Sequence, residues 1–297
     1  MSWIQISITT TQTSAAEIED ALLLLGAASV TLKDAEDQPI LEPAPGETPL
    51  WDKAIVTGMF DDSINTVSLR ESLEKIVGDA SSDIKLEILE DQDWTRAWME
   101  HYHAMQFGTR LWVCPWHKDP PDPDAVNLRL DPGLAFGTGT HPTTSLCLRW
   151  LDANIQQQAT LLDFGCGSGI LAIAALLLGV KHADGVDIDE QALYASKENA
   201  TANDVVKRLQ VFLPAEFNQR SAAQNTYDIV MANILSGPLV ELGARLADCV
   251  KPGGDIVLSG ILREQADTVK QAYSEFFDMD DAVYEEDWVM LHGCRRH

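Results

Sequence analysis

Basic residues are scarce in this sequence relative to acidic ones. The 297 residues include 21 lysines and arginines against 46 aspartates and glutamates, which gives a formal net charge of −25 at pH 7. A chain so acidic repels phosphate backbones and anionic lipid surfaces, so this charge argues against non-specific binding to nucleic acid or to such a membrane. It favours a basic partner. The alternative is that the acidic surface serves solubility alone.

Cysteine pairs and long apolar runs are also lacking. The five cysteines are widely scattered and include no C-x-x-C pair, so neither a disulfide framework nor a zinc site is indicated. The start MSWIQISITT has no basic stretch ahead of an apolar one. The longest apolar run, ILAIAALLLGV, is shorter than the roughly 20 residues that a membrane span needs. We therefore expect a cytoplasmic protein without a membrane partner.

The first 90 residues predict a small α+β domain. A strand-helix-strand pattern occurs twice, on either side of the proline-rich segment PILEPAPGETP. The first helix is expected to begin with a capping box at Ser14 and Glu17 and to stop at Gly26. Two units of this size predict a ferredoxin-like layer. No cluster of reactive side chains is present, so we expect residues 1–90 to serve substrate recognition, with a structural cap as the alternative.

Residues 91–130 change character and predict a connector made of a helix and a hairpin. Trp94, Trp98 and Tyr102 recur at a spacing of four residues, which would align them on one face of a helix. Large aromatic side chains in such a stripe usually serve packing. The segment HKDPPDPDAVN, residues 117–127, then predicts an exposed turn or the tip of a hairpin.

From about residue 131 to residue 297, strands and helices alternate regularly. The segments TLLDFG, ADGVDID, LQVFLPA, YDIVMANIL and DIVLSGI are typical of strands, and helical patterns separate most of them. This alternation predicts a Rossmann-like, doubly wound parallel sheet, whose ligand lies beyond the carboxyl ends of the strands. The last two strand-like runs, DAVYEEDW and VMLHGC, are adjacent and predict a terminal antiparallel hairpin at one edge.

Three glycines, Gly165, Gly167 and Gly169, lie between the first of these strands and its helix. Because they have no side chains, a ligand can touch the backbone where helix amides point outward. Their spacing, G-x-G-x-G, differs by one residue from the dinucleotide fingerprint G-x-G-x-x-G. Asp163, two residues earlier, would repel a pyrophosphate. It would favour a cationic ligand such as S-adenosylmethionine, which carries a sulfonium and an ammonium group.

Polar residues at the ends of two further strands complete the candidate site. Asp187 is placed to accept hydrogen bonds from both ribose hydroxyls of a nucleoside. Asp189 is the other candidate, although its place before a helix suits an N-cap equally well. Asn233 can accept a hydrogen bond from an amine while donating another, with an Asx-turn as the alternative role. Together these elements predict nucleoside binding and favour the methyl donor over a nicotinamide.

The motifs LDPGLAFGTGTHPTTSLCLRWL, DFGCGSGILAIAA, GVDID and ANIL resemble those of the family of ribosomal protein methyltransferases that modify the eleventh protein of the large subunit. The resemblance covers essentially the whole chain, and FGTGTHPTT is its most specific part. It implies a class I methyltransferase that binds S-adenosylmethionine through Thr144, Gly165, Asp187 and Asn233, with Gly167 in the same glycine turn. It also implies an amino-terminal domain that binds the ribosomal protein.

The resemblance further implies methyl transfer to the N-terminal α-amine and to lysine side chains of a basic ribosomal protein, with Asn233 as the catalytic residue. Ile234 and Leu235 follow Asn233 in place of the Pro-Pro-aromatic of enzymes that methylate planar amides or bases, so an aliphatic amine suits the site better. His141, just before Pro142, is either a proton acceptor or a structural residue at a helix start. We expect a monomer that does not bind nucleic acid. The alternatives are an NAD-dependent oxidoreductase and a non-catalytic nucleoside-binding adaptor.

Overall fold

The computed structural model describes residues 2–38, 40, 48–77, 84–89, 103–130, 139, 141–219 and 226–297. The chain divides into two compact units, Met1–Ala97 and Trp98–His297. Trp94, Trp98 and Tyr102, the predicted aromatic stripe of the connector, lie outside the described residues. Within the ranges given above, no helix combines the length and the apolar character needed to cross a bilayer.

The first unit contains one four-stranded sheet and two described helices. Its elements are β1 (Trp3–Thr11), α1 (Gln12–Leu24), β2 (Ser29–Asp34), β3 (Lys53–Asp61), α2 (Thr66–Val77) and β4 (Ile84–Leu89). The strand order is β2-β3-β1-β4, and neighbouring strands pair antiparallel. Alternate residues of β1, namely Ile4, Ile6 and Ile8, are buried in a core with Leu22 of α1 and Leu73 of α2. The period of two in the sequence thus identifies the face of the sheet that the helices cover.

Helix α1 begins earlier than predicted. Thr11 occupies its N-cap position without a capping bond from its side chain, and Ser14 and Glu17 lie inside the helix, so the predicted capping box is wrong. The helix follows β1 directly, and the N–H of Gln12 donates to the carbonyl of Asp52 at 3.0 Å. This bond satisfies one of the N–H groups at the start of the helix. Because its acceptor is distant in the sequence, local sequence does not predict where the helix begins. Gly26, at a φ of 96°, ends the helix as predicted.

The second unit begins with a three-stranded sheet of β5 (Met105–Phe107), β6 (Leu111–Pro115) and β7 (Val126–Leu130). Strands β6 and β7 pair in parallel, so the segment between them, residues 116–125, is a crossover, and the hairpin tip predicted at residues 117–127 is wrong. Proline and aspartate signal a turn, but they do not determine the direction of the next strand. Phe107, Leu111 and Leu128 pack in the main core of the second unit, so residues 103–130 belong to this unit and not to a separate connector.

A large sheet with helices forms the rest of this unit. Its elements are α3 (Pro142–Asn154), β8 (Thr160–Phe164), α4 (Ile170–Leu178), β9 (His182–Val186), α5 (Glu190–Ala202), β10 (Leu209–Phe212), α6 (Pro214–Asn218), β11 (Tyr227–Asn233), α7 (Ser236–Cys249), β12 (Val250–Leu262), α8 (Ala266–Tyr273), β13 (Phe277–Met279), β14 (Val283–Glu285) and β15 (Trp288–Arg295). Short 3₁₀ turns occur at Val206–Arg208 and Arg263–Gln265.

The strand order of the large sheet is β10-β9-β8-β11-β12-β15-β13, and β14 pairs with β15. The strands from β8 to β12 pair in parallel, whereas β15 runs antiparallel to β12, β13 and β14. The predicted α/β class is therefore confirmed, and the sheet is mixed. The chain order reverses at β8, which lies between β9 and β11. This switch point is where open α/β sheets bind ligands.

Helix α4 is held firmly at that switch point. Eight of its nine residues are buried, so it packs into the core on every side and its amino terminus cannot shift freely. The N–H of Ala172 in its first turn donates to the carboxylate of Asp163 at the end of β8, at 3.1 Å. The glycine turn between β8 and α4 is thus anchored at both ends.

Candidate active site

A cavity of about 320 Å³ lies at the carboxyl ends of β8 and β11. Four of the five predicted site residues, Thr144, Gly165, Gly167 and Asn233, line it, and the fifth, Asp187, binds the backbone of Gly167. The structure therefore brings together residues that lie up to 89 positions apart in the chain. The other lining residues are His141, Thr143, Cys166, Ile170, Leu171, Ile234, Leu235, Gly260 and Trp288.

The glycine turn needs residues without side chains. Gly165, Gly167 and Gly169 have φ angles of 83°, 52° and 77°, a region that other residues rarely adopt. A Cβ atom on Gly165 would lie 2.2 Å from Cγ2 of Ile234, and one on Gly169 would lie 2.8 Å from Oγ of Ser196. That Ser196 hydroxyl donates to the carbonyl of Gly167 at 2.9 Å, which fixes the path of the turn.

Asp187 and Asp189 take different positions at the end of β9. The Oδ2 atom of Asp187 accepts the N–H of Gly167 at 2.8 Å, and its Oδ1 atom accepts the N–H of Asp189 at 3.1 Å. Each carboxylate oxygen can accept a further hydrogen bond. Asp189 caps α5, because its Oδ1 atom accepts the N–H of Gln191 at 2.8 Å. Asp187 is thus the carboxylate that lies against the glycine turn.

Asp163 is completely buried beneath the turn. Its Oδ2 atom binds Ala172, while its Oδ1 atom is buried without a hydrogen-bond partner among the described residues. Burial raises the pKa of the Asp163 carboxyl to about 7, and the nearby Asp187 carboxylate acts in the same direction. At neutral pH the carboxyl is therefore less fully ionised than an ordinary aspartate, so it repels a phosphate less than the sequence argument assumes. The spacing of the motif does not reveal this burial.

Asn233 and Thr144 form a pair across the cavity. Asn233 ends β11, and its Nδ2 atom donates to Oγ1 of Thr144 at 3.3 Å. Thr144 is buried in the first turn of α3. Because the amide nitrogen is engaged by Thr144, the amide oxygen of Asn233 is the atom available to accept a bond from a ligand. Thr138 and Thr140, which belong to the same FGTGTHPTT motif as Thr144, lie outside the described residues.

His141 caps α3, and its ring geometry limits its chemistry. Its Nδ1 atom accepts the backbone N–H of Thr143 at 3.4 Å and lies 2.8 Å from the Thr143 hydroxyl. Because a backbone N–H only donates, Nδ1 is unprotonated, and the neutral ring carries its proton on Nε2. Burial lowers the pKa of His141 against a smaller opposing effect of Glu286, so the ring is neutral at pH 7. These contacts favour the structural role over that of proton acceptor.

Sequence reasoning missed two residues of the cavity wall, Trp288 and Gly260. Trp288 begins β15, and its ring centroid lies 4.7 Å from that of His141 in an edge-to-face arrangement. Gly260 lies within β12 at a φ of 83°. Both reach the cavity because β15 returns antiparallel to β12 and because β12 is irregular at this point. No motif signals either feature.

A mixed sheet of this strand order, with a glycine turn after β8, a carboxylate after β9 and an asparagine ending β11, defines an S-adenosylmethionine-dependent methyltransferase. Within that class, the chain belongs to the ribosomal protein L11 methyltransferase (PrmA) family, whose model matches residues 2–296. The family resemblance predicted from the motifs is confirmed.

Individual relatives agree with this assignment. A ribosomal protein L11 methyltransferase of Hahella chejuensis is 50% identical over 295 residues, which are 99% of each chain. One from Pseudomonas aeruginosa is 51% identical over 298 residues, which are 100% of this chain and 99% of the relative. The crystal structure of a ribosomal protein L11 methylase from Lactobacillus delbrueckii subsp. bulgaricus is similar with a TM-score of 0.60 and 32% identity. It covers 66% of this chain and 100% of that chain.

Proposed function

We propose that this protein transfers methyl groups from S-adenosylmethionine to the N-terminal α-amine and to lysine side chains of ribosomal protein L11. The cavity carries the proposal, because it joins the glycine turn and its bound Asp187 to the Thr144–Asn233 pair. Membership of the L11 methyltransferase family supports the same reaction. It disfavours both an NAD-dependent oxidoreductase and a non-catalytic adaptor.

The residues present fit the methyl donor. The turn at Gly165 and Gly167 presents a backbone without side chains to the cavity, so a ligand can approach it closely. The Asp187 carboxylate, which holds the Gly167 N–H, can accept further bonds from ribose hydroxyls. In its ionised form, Asp163 beneath the turn favours a cation, and its Oδ1 atom has no hydrogen-bond partner among the described residues. When bound there, S-adenosylmethionine supplies a methyl group activated by its positively charged sulfur.

The acceptor side of the cavity suits a neutral amine. None of the described residues that line the cavity is a carboxylate, and Ile234, Leu235 and Trp288 give it apolar walls. Such surroundings disfavour an ammonium ion. Deprotonation at pH 7 costs about 4.6 kcal/mol for a lysine but about 1 kcal/mol for an α-amine. The Asn233 amide oxygen can then hold an amine N–H and orient the lone pair, so catalysis is mainly positioning.

We infer that the first unit is a ferredoxin-like recognition domain, corresponding to residues 1–90. Its element order, β-α-β-β-α-β, and its antiparallel sheet support this. Residues 1–97 contain 19 acidic and 6 basic residues, a net charge of −13, while the 200 residues of the second unit contain 27 and 15, a net charge of −12. The charge density of the first unit is about twice as high, which suits a basic protein.

The same charges bear on the form of the substrate. An acidic enzyme is repelled by ribosomal RNA, so we propose that it acts on free L11 and does not bind nucleic acid itself. We also propose that it is a cytoplasmic monomer. We further propose that β14 and β15, which pair antiparallel, are the predicted terminal hairpin of the sheet. Trp288, at the start of β15, lines the cavity on its acceptor side.

Mass spectrometry of L11 after incubation with the protein and S-adenosylmethionine tests the proposed function. We expect mass increments of whole methyl groups on the N-terminal amine and on lysines. Asn233→Ala is the control for the site, with turnover reduced about a hundredfold and donor affinity less affected. Unmodified L11, or an Asn233→Ala variant as active as the original protein, would contradict the proposal.

A further inference from the structure

Ile234, which follows Asn233, is confined between two glycines, one in the turn after β8 and one in β12. A Cβ atom on Gly165 would lie 2.2 Å from Cγ2 of Ile234, and one on Gly260 would lie 2.4 Å from the carbonyl oxygen of Ile234. Gly165 belongs to the turn assigned to the methyl donor, whereas Gly260 belongs to β12. Because Ile234 lies between Gly165 and Gly260, the backbone of β12 limits how far the Asn233–Ile234 segment can lie from the donor turn.

Strand β12 is irregular at this point. Asn233 pairs with Ser259, and the N–H of Ile234 donates to the carbonyl of Ser259 at 3.2 Å. The pairing of β12 with β15 shifts register between Leu258 and Ile261. The two residues between them, Ser259 and Gly260, thus form a bulge, which bends a strand and re-aims what is attached to it.

The Ser259 hydroxyl connects this bulge to the opposite wall of the cavity. Ser259 is fully buried, and its Oγ atom lies 3.1 Å from the carbonyl of Thr143 and 3.5 Å from that of Val289. Thr143 precedes Thr144, whose hydroxyl accepts the amide of Asn233. Ser259 is therefore linked to both sides of the Thr144–Asn233 pair. Its backbone pairs with Asn233, and its hydroxyl binds the carbonyl of Thr143, the residue before Thr144.

We infer that the Ser259–Gly260 bulge is a positioning element of methyl transfer, which holds Asn233 against Thr144 at a set distance from the glycine turn. The inference rests on the proposed function and adds Ser259 and Gly260 as positioning residues. The turn itself is held by other contacts, from Ser196 and Asp187 to Gly167. Loss of the bulge contacts therefore lowers turnover and leaves donor affinity nearly unchanged.

The Ser259→Ala variant tests this with the smallest change, because it removes one hydroxyl and adds no volume. We expect kcat at saturating substrates to fall about tenfold, since small misplacements of catalytic groups cost up to about a hundredfold. The dissociation constant of S-adenosylhomocysteine, measured by calorimetry, stays within about threefold of its original value. Gly260→Ala is expected to have a larger effect, with Gly243→Ala as its matched control. A Cβ atom at Gly243 meets its nearest neighbour at an ordinary 3.6 Å.

Thr160→Val is the matched control for Ser259→Ala. The Thr160 hydroxyl also lies on a strand of the large sheet, 2.8 Å from Oδ2 of Asp228 and 3.0 Å from the carbonyl oxygen of Thr226. It is at the amino end of β8, so its loss lowers the melting temperature without changing kcat. A Ser259→Ala variant with kcat within twofold of the original, or a Thr160→Val variant with an equal loss of kcat, would overturn the inference.

A second measurement does not depend on activity. In protein labelled with ¹⁵N-asparagine, the side-chain amide signal of Asn233, assigned with the Asn233→Ala variant, reports its contact with Thr144. We expect this signal to shift or broaden in Ser259→Ala and to stay in place in Thr160→Val. An unchanged signal in Ser259→Ala would overturn the positioning role. Failure of the unsubstituted protein to methylate L11 would count against the proposed function, and the amide signal would still decide on the bulge.

Discussion

Asp187 and Asp189 lie two residues apart, yet their carboxylates have different structural roles. Asp187 binds the glycine turn, and Asp189 caps a helix. Asp187→Ala is expected to weaken binding of S-adenosylhomocysteine by about two orders of magnitude, about 3 kcal/mol, because charge-assisted hydrogen bonds to the ribose are lost. Isothermal titration calorimetry measures the change.

The neighbouring carboxylate is the control for that measurement. Asp189→Ala removes the cap of α5 and is expected to lower stability by about 1 kcal/mol while leaving donor affinity close to its original value. Equal losses of affinity in the two variants would remove the assignment of Asp187 to the ribose.

Asp163 gives the ligand-free protein a stability that depends on pH. Burial raises its pKa to about 7 from a model-compound value of 3.8. Between these two values the folded state keeps the proton that the unfolded state releases, so the carboxyl lowers stability as pH rises through this window, and the penalty is constant above it. Asp163→Asn is expected to stabilise the ligand-free protein at pH 8 by up to about 4 kcal/mol, with little gain at pH 4.

Urea unfolding at these two pH values checks the prediction. The asparagine side chain keeps an oxygen that can accept the Ala172 N–H, so the comparison isolates the charge. A gain of equal size at both pH values would show that the Asp163 carboxyl is not the titrating group.

At the scale of single residues, the sequence predicted which residues come together at the site, but not which other residues surround them. The glycine spacing and the polar ends of two strands indicated Gly165, Asp187 and Asn233, because parallel strands bring their carboxyl ends to one edge. The burial of Asp163 and the contribution of Trp288 depend on chain segments far away in the sequence. Local patterns carry no information about those contacts.

At the scale of elements, the same division holds. Helix α4 and strand β8 follow from continuous apolar runs, whose period and length are local properties. The parallel pairing of β6 with β7 and the start of α1 at Gln12 depend on tertiary hydrogen bonds. The sequence prediction therefore fails at these two places because hydrogen-bond partners distant in the sequence, and not local residues, determine the structure there.

His292 links three segments at the edge of the large sheet. On β15, its Nε2 atom lies 2.9 Å from Oδ1 of Asp255 on β12, and its Nδ1 atom lies 2.7 Å from Oδ2 of Asp280, between β13 and β14. The hydrogen bond to Asp255, followed by that to Asp280, raises the pKa of His292 above its usual 6.5, although burial opposes this. Other groups near the ring include Trp150, at 5.3 Å between ring centroids.

The raised pKa of His292 predicts a loss of stability at alkaline pH. The stabilising contribution is complete below pH 6.5 and disappears as pH rises through the folded-state pKa, because the protonated ring is the form that both carboxylates favour. The melting temperature of the original protein is thus expected to fall across this range more steeply than that of His292→Gln. Parallel melting curves for the two proteins against pH would contradict the assignment.

At the scale of the whole molecule, the net charge of −25 predicts how the protein meets its substrate. Complementary fields speed the encounter with a basic protein, and salt screens them within roughly 10 Å at about 0.1 M. We expect the association rate with L11, measured by stopped flow, to fall at least about tenfold between low and physiological salt. Binding of the small donor product is the control and changes little. A salt-independent association rate would exclude the electrostatic role of the acidic surface.

A crystal structure grown with both S-adenosylhomocysteine and NAD is the most direct test of the central claim. We predict that the sulfur-containing nucleoside lies against the backbone of Gly165 and Gly167, with its ribose hydroxyls on Asp187 and its sulfur facing the Asn233 side of the cavity. A dinucleotide at the glycine turn, with the nucleoside absent, would contradict the account.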